Sequence, residues 1–175
     1  MSEPLARLGA EVTALDAAEE NINVAQAHAD LDPEIRPRMT FQASTIEEFI
    51  KGNPEVKFDA VVASEVIEHV DNQAKFVKDC SKVLASGGSF FLTTLNRNKQ
   101  SYMAGIVAAE YVLGLLPQGT HDWNKFVTSE ELQDMLKDAG CETRLVHGMF
   151  YWPGFNKWTW VEQTSVNYAI HAVKN

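Results

Sequence analysis

Apolar and polar positions follow two different periods in turn along this chain. Short apolar runs of strand length recur between segments in which apolar residues return every three or four positions. Strands are predicted at residues 11–15, 39–43, 58–63 and 90–95, with Gly87 and Gly88 turning the chain into the last of them, and helices at residues 19–29, 45–51 and 72–84. Such alternation is typical of a parallel or mostly parallel sheet covered by helices, so the pattern predicts an α/β fold.

The last part of the chain carries a different pattern. Thr128 and Glu131 form a capping signature for a final helix, and Gly140 is placed to close it. Two terminal strands are predicted near residues 142–149 and 165–173. We expect these strands to add an antiparallel end to the sheet.

The segment 102–116 departs from the alternation. It is apolar almost all round when wound as a helix, and Glu110 is its single charge. A helix that crosses a bilayer needs about 20 residues, so this segment is too short to span a membrane. Such a helix is either buried, in a core or a dimer contact, or lies in a membrane interface, where Arg97 and Lys99 could meet lipid head groups. The pattern leaves both interpretations open.

The junction that follows the third predicted strand carries candidate chemistry. If a helix begins at Ser64, then Glu65, Glu68 and His69 fall at positions i, i+3 and i+4 and share one face. Ligands of open α/β sheets bind beyond the carboxyl ends of the strands, and carboxylates with an imidazole suit a divalent cation. A solvated helix face is the competing interpretation of the same three residues.

Asp16 directly follows the first predicted strand and precedes a helix. An acid at such a place in nucleotide-binding half-folds hydrogen-bonds the ribose hydroxyls, although a helix N-cap explains it equally well. The usual companion is a Gly-rich loop about 20 residues upstream. Only fifteen residues precede Asp16, and residues 4–10 have the pattern expected for the tail of the helix after such a loop.

Composition limits the classes of protein that the chain can be. Its 175 residues suffice for one domain with a sizeable core. A net charge of -9 without a basic cluster argues against nucleic acid as a partner. Cys80 and Cys141 lie far apart, which predicts neither a disulfide framework nor a zinc site. The opening residues predict no signal or transit peptide, so we expect any targeting segment to lie outside this polypeptide.

Together these stretches closely resemble the S-adenosylmethionine-dependent O-methyltransferases of ubiquinone biosynthesis. The matching residues are 4–10, 15–16, 58–70, 93–98, 119–123, 125–126 and 165–168. The most specific elements are Glu-x-x-Glu-His at residues 65–69 and Gly-Thr-His-Asp at residues 119–122. The resemblance covers nearly the whole chain.

The resemblance implies a Rossmann-like class I methyltransferase sheet in a single domain, here without the family's first strand and Gly-rich loop. A membrane-interface helical insertion near residues 98–122 is expected within it. The implied reaction is methylation of a ring hydroxyl on a polyprenylated dihydroxybenzoate or demethylubiquinol. The implied place in eukaryotes is the matrix face of the mitochondrial inner membrane, with peripheral membrane contact through residues 102–116 and with other ubiquinone-biosynthesis proteins as partners.

The resemblance also implies roles for individual residues. Asp16 is expected to bind the ribose of S-adenosylmethionine, and Ser64 to line the pocket of that cofactor. Glu65, Glu68 and His69 would hold a divalent metal, with Mg²⁺ as the expected ion. His121 is expected near the substrate as a catalytic group, or as a loop residue that orders its neighbours.

The chemistry agrees with these roles, because a phenol has a pKa of about 10 and must become a phenolate to attack a sulfonium methyl group. A metal chelated by both oxygens of a catechol would stabilise and position that anion. Two alternatives remain. One is a metal-dependent hydrolase that uses the same three ligands, and the other is a non-catalytic module that binds partner proteins or the membrane.

Overall fold

The computed structural model describes residues 1–98 and 123–175. These residues form five α-helices and seven β-strands. The helices are α1 (Ser2–Arg7), α2 (Glu19–Ala29), α3 (Ile46–Gly52), α4 (Gln73–Lys82) and α5 (Ser129–Asp138), and the strands are β1 (Val12–Asp16), β2 (Met39–Ala43), β3 (Phe58–Ser64), β4 (Leu84–Leu95), β5 (Cys141–Trp152), β6 (Lys157–Val161) and β7 (Asn167–Lys174). Contacts divide the chain into two compact units, Met1–Val56 and Lys57–Asn175.

The first unit is built on a parallel pair of strands. β1 and β2 pair in register from Val12 opposite Met39 to Asp16 opposite Ala43. Both α1 and α2 contact this two-stranded sheet. Their small core is apolar and consists of the buried residues Ala6, Ala29, Ile35 and Met39, with Val12 and Phe41 packed against them. The helix predicted over residues 19–29 and the strand predicted over residues 39–43 are confirmed.

The second unit contains a five-stranded sheet with the order β3-β4-β7-β5-β6. β3 and β4 are parallel, and the remaining neighbours are antiparallel, which confirms the predicted antiparallel end. Side chains alternate between the faces of a strand. Accordingly Phe90 and Leu92 are buried, whereas Phe91 between them is exposed. Helices α4 and α5 contact each other and this sheet.

The single sheet expected from the alternation of elements is found as two separate sheets. Within the described residues β1 pairs with β2 alone, and β3 pairs with β4 alone. Each of these two strands therefore keeps an edge without a strand partner in the described part of the chain. Pairing with a neighbouring strand is the usual way in which backbone polar groups along such an edge are satisfied.

The start of β4 differs from the prediction, because the strand begins at Leu84 and runs through the glycine pair. Gly87 has a φ of 77°, in the left-handed region that favours glycine. At Gly88 an added Cβ would lie 2.9 Å from the carbonyl oxygen of Ala85. The pairing with β3 shifts register at this place, so the two glycines form a bulge within the strand, where the sequence predicted a turn before it.

Strand β6 is an element that the sequence pattern did not predict. It pairs with the end of β5 and makes a hairpin, with Lys157 opposite Trp152. β5 accordingly extends to Trp152, three residues beyond its predicted end at residue 149. The short helix at Pro153–Phe155 connects the two strands.

Among the described residues, no helix has both the length and the apolar character required to cross a membrane. The segment 102–116 lies outside those residues. Arg97, which was expected to meet lipid head groups, instead donates to the carbonyl oxygen of Phe126 at 3.3 Å and forms an ion pair with Glu131. These contacts engage the Arg97 guanidinium within the second unit, and contact of this region with lipid head groups stays a prediction.

Helix α5 begins with a reciprocal capping box. The Thr128 hydroxyl accepts from the Glu131 backbone N–H at 3.2 Å, and the Glu131 carboxylate accepts from the Thr128 backbone N–H at 3.0 Å. This start orients Leu132 and Leu136, both fully buried. The predicted cap is confirmed.

We expect Thr128→Ala to lower the free energy of unfolding by about 1 kcal/mol, because an N-terminal backbone N–H of α5 loses its acceptor. Urea denaturation followed by circular dichroism measures the change. Thr128→Ser keeps the hydroxyl and is the matched control, with a smaller expected loss. Equal midpoints for Thr128→Ala and the unmodified chain would contradict the role given to this cap.

Candidate functional site

The parallel strands β3 and β4 end side by side, and their last residues form a polar edge. The hydroxyls of Ser64 and Thr93 are 2.9 Å apart. The Glu65 backbone N–H donates to the carbonyl oxygen of Thr93 at 2.9 Å and continues the pairing by one residue. Carboxyl ends of neighbouring parallel strands are where ligands of such sheets bind. This edge is therefore the candidate site of the second unit.

The chain after Ser64 does not enter an α-helix, so that prediction is wrong. Glu65 has a φ of 53°, a left-handed conformation that is uncommon for a residue other than glycine. A short 3-10 helix follows at Ile67–His69. Strained backbone of this kind clusters at functional sites, which supports placing the site here.

The change of backbone separates the three predicted metal ligands. Glu65 and His69 are exposed, whereas Glu68 is buried. The prediction that the three side chains share one helical face is thus wrong. It requires α-helical backbone, and the positive φ of Glu65 interrupts that backbone. Glu65 and His69 each interact with other residues of the chain.

Glu68 is the most constrained acid of the candidate site, with a relative exposure of 3%. Its Oε2 accepts from the hydroxyl of Thr94 at 2.8 Å, and Thr94 is itself fully buried. Its Oε1 is buried and has no hydrogen-bond partner among the described residues. A buried polar atom without a partner is unfavourable, so this oxygen is placed to accept from a ligand, a water molecule or a cation.

The positions of Glu65, Glu68 and His69 can be compared with what a metal site requires. The described residues contain no group of three or more His, Cys, Asp and Glu side chains that could hold one. The free oxygen of Glu68 is compatible with a cation, but the three predicted ligands do not form a set as they are placed. A divalent metal is therefore a prediction from the resemblance, without support from this geometry.

Asp16 lies at the end of β1 in the first unit, as predicted. Its Oδ1 accepts from the Ala18 backbone N–H at 2.8 Å, and its Oδ2 accepts from the Asn21 side chain at 3.1 Å. The N-cap of α2 is Ala18, so the interpretation of Asp16 as a helix cap is wrong. The carboxylate closes a local turn and remains half-buried, with lone pairs left for a ligand at the strand end.

The end of β4 is tied to the segment before β7 by two amide side chains. Asn96 donates from its side chain to the carbonyl oxygen of Thr164, and its backbone N–H donates to Val166, both at 2.8 Å. The Asn98 side chain donates to the carbonyl oxygen of Ser165 at 2.7 Å. No role was predicted for these two amides, although polar residues directly after a predicted strand were the available signal.

A second group of contacts joins the start of α5 to the same region. Gln73 donates to the carbonyl oxygens of Ile67 at 3.3 Å and Lys125 at 2.6 Å. The Tyr168 hydroxyl donates to the carbonyl oxygen of Val127 at 2.8 Å. Residues 93–98, 125–126 and 165–168, far apart in sequence, are thus brought together in the second unit.

Tyr168 is a structural donor and not a base. Burial raises the pKa of its hydroxyl far above the usual value, and the nearby charges of Glu130, Glu131, Glu68 and Glu65 raise it further. The hydroxyl therefore stays neutral at any physiological pH. His121 lies outside the described residues, and its expected place near a substrate stays a prediction.

Comparison with known proteins places these features in a family. The profile of a family described as a methyltransferase domain matches residues 1–92. The chain is 47% identical over 174 residues to the mitochondrial ubiquinone biosynthesis O-methyltransferase of Rattus norvegicus, covering 99% of this chain and 50% of that protein. It is 46% identical over 172 residues to the ubiquinone biosynthesis O-methyltransferase of Methylobacterium sp. (strain 4-46), covering 98% of this chain and 67% of that protein. The chain thus spans about half the length of the rat protein.

Solved structures share the fold. Magnesium protoporphyrin IX methyltransferase from Synechocystis PCC 6803 with bound SAH matches with a TM-score of 0.68 and 18% identity, covering 99% of this chain and 68% of that one. At such an identity the likeness concerns the fold alone. The predicted class I methyltransferase fold is confirmed.

We expect Thr94→Val to lower the free energy of unfolding by about 1 to 3 kcal/mol, because the buried carboxylate of Glu68 loses its donor. Thr93→Val is the matched control: it removes a neighbouring half-buried hydroxyl and should have less effect. Chemical denaturation of both variants measures the difference. Equal losses would show that the contact between Thr94 and Glu68 has no special weight.

Proposed function

The chain belongs to the ubiquinone-biosynthesis O-methyltransferase family, and from this we propose that it serves methyl transfer from S-adenosylmethionine to a polyprenylated phenol. The acceptor would be a ring hydroxyl of a polyprenylated dihydroxybenzoate or of demethylubiquinol. The observation that carries the proposal is sequence identity along nearly the whole chain. The hydrolase alternative is not favoured, because the matching family and relatives are methyltransferases.

The reaction sets requirements for the protein. A phenolate oxygen attacks the methyl carbon, the carbon–sulfur bond breaks, and its electron pair stays on the departing S-adenosylhomocysteine. The proposed part of Asp16 is to accept from the ribose hydroxyls of the cofactor, and that of Ser64 is to line the cofactor pocket. We assign His121 to the substrate hydroxyl, since an imidazole titrates near neutral pH and suits the transfer of the phenol proton.

The proposed cofactor site differs from the glycine-rich fingerprint of dinucleotide-binding folds. The sequence contains no Gly-x-Gly-x-x-Gly loop to bring backbone N–H groups to the cofactor. Asp16 lies on β1, which pairs only with β2 among the described residues. The second candidate function is a non-catalytic module that binds partner proteins, and the matching family and relatives, which are methyltransferases, do not favour it.

The proposed setting follows from the relatives. The rat protein is named as mitochondrial, and we extend that compartment to this chain. The matrix side of the inner membrane, peripheral attachment through residues 102–116 and contacts with other ubiquinone-biosynthesis proteins belong to the same proposal. A polyprenyl substrate is confined to the bilayer, so an enzyme that methylates it must work at the membrane surface.

We expect this 175-residue chain to bind S-adenosylmethionine only weakly. It has no Gly-rich loop to donate backbone hydrogen bonds to the cofactor, and each such bond contributes about 1 kcal/mol. Isothermal titration measures the affinity. Adding an upstream strand that ends in a Gly-rich loop should restore binding. In that extended chain Asp16→Asn should weaken binding about tenfold, since the amide keeps the local turn but loses the charge.

Asp30→Asn is the matched control, because Asp30 is an exposed acid in the same unit that pairs with Arg36. It should leave the affinity unchanged. Micromolar binding by the chain as printed would show that the Gly-rich loop is dispensable and would contradict this account of the cofactor site.

We expect a requirement for Mg²⁺ if Glu65 and His69 act as ligands. In the extended chain Glu65→Gln and His69→Ala should each lower Mg²⁺ affinity by about tenfold or more, with cofactor affinity preserved. Glu19→Gln, an exposed acid in the first turn of α2, is the control. Full turnover in excess chelator would remove the metal from the proposal.

A further inference from the structure

The hairpin of β5 and β6 displays aromatic rings on both faces. We call residues 148–161 the aromatic hairpin. Tyr151 lies opposite Trp158, and the neighbouring pair places Phe150 opposite Thr159. Because side chains alternate along each strand, Tyr151 and Trp158 share one face, while Phe150 and Trp152 share the other.

Most aromatic side chains of the hairpin are exposed to solvent, and Tyr151 is half-buried. The relative exposure of Phe155 is 82% and that of Trp160 is 68%, and Phe150, Trp152 and Trp158 are also exposed. β6 is the last strand in the sheet order and pairs only with β5 among the described residues. A hairpin that belonged to a core would bury at least one face, so this exposed apolar surface indicates a binding surface.

The aromatic hairpin is also held in shape by its own contacts. The Tyr151 hydroxyl donates to the Asn156 side chain at 2.9 Å, and the Trp152 indole N–H donates to the Thr159 hydroxyl at 3.1 Å. The rings of Tyr151 and Trp158 lie 5.1 Å apart. Such internal contacts preorganise the rings, so that little ordering is needed on binding.

Charge decides which partner fits this surface. The chain has a net charge of -9, yet Lys157 is the only charged residue among residues 148–161. A surface of Trp, Tyr and Phe with one cation and no carboxylate complements the head-group region of an anionic bilayer, where amphipathic rings are favoured.

We propose that the aromatic hairpin binds the interface of an anionic lipid bilayer by inserting its exposed rings among the head groups. This contact is separate from residues 102–116 and does not depend on methyl transfer. It gives the second unit a membrane-facing surface at the edge of its sheet.

Tryptophan fluorescence tests the proposal directly, because three of the four tryptophans belong to the hairpin and the fourth is Trp123. The probe is vesicles of phosphatidylcholine with a minority of phosphatidylglycerol, with and without bromine-labelled acyl chains. In a Trp123→Phe chain, bromine-labelled vesicles that contain phosphatidylglycerol should quench the emission. Bromine-labelled vesicles of phosphatidylcholine alone should quench it less. Contact through residues 102–116 alone would leave this emission unquenched and would overturn the proposal.

Vesicle sedimentation supplies the matched comparison. The double variant Phe155→Ser with Trp160→Ser should bind vesicles about tenfold less, since two rings no longer leave water. The control is Leu8→Ser with Leu31→Ser, whose relative exposures of 86% and 79% match those of the two rings. Circular dichroism checks that both variants are folded.

Two further results would overturn the inference. One is equal vesicle binding by the double variant and the control. The other is a dimer in sedimentation velocity that depends on Phe155 and Trp160, without any binding to vesicles. That result would assign the surface to a second copy of the chain pairing along β6.

Discussion

The pairing of β4 along both edges is the constraint on which the described site depends. β3 holds it in parallel register and β7 in antiparallel register, so its last residues reach the polar edge in fixed alternation. Thr93 is thereby directed to Ser64, and Thr94 to Glu68. A slip of one residue would exchange the two faces and leave the buried carboxylate beside the wrong side chain. The bulge at Gly87 and Gly88 lets the strand keep this register after an irregular start.

Much of the fold could be predicted because local pattern and final structure agree. α2 and β2 were predicted at their observed bounds, and the cap of α5 was identified from Thr128 and Glu131 alone. β6 was missed because its short, Trp-rich run follows a Pro and a Gly, which resemble loop residues. The division of the sheet depends on pairings between distant segments, and single-sequence periodicity carries no such information.

The candidate site was predicted by position more than by geometry. The strands were predicted to end within one residue of their observed ends at Asp16 and Ser64, since acids and hydroxyls after apolar runs are visible in sequence. The left-handed conformation of Glu65 was not visible, because residue type favours glycine there. The burial of Glu68 was equally hidden, since carboxylates are seldom buried and its partner Thr94 lies 26 residues away. The two acids consequently differ: Asp16 has both oxygens engaged locally, whereas Glu68 keeps one oxygen for something else.

In the part of the chain that the structure describes, β3 has one edge without a strand partner, and this edge bears on how copies of the chain could associate. This strand has seven residues, and Asp59 is its only charge. An apolar strand with a bare edge is a template for intermolecular pairing, and charged gatekeepers are the usual protection. Asp59 is therefore the charged residue of β3 that would oppose pairing of this edge with another copy of the chain. A strand added along this edge from another copy would extend the sheet through backbone hydrogen bonds.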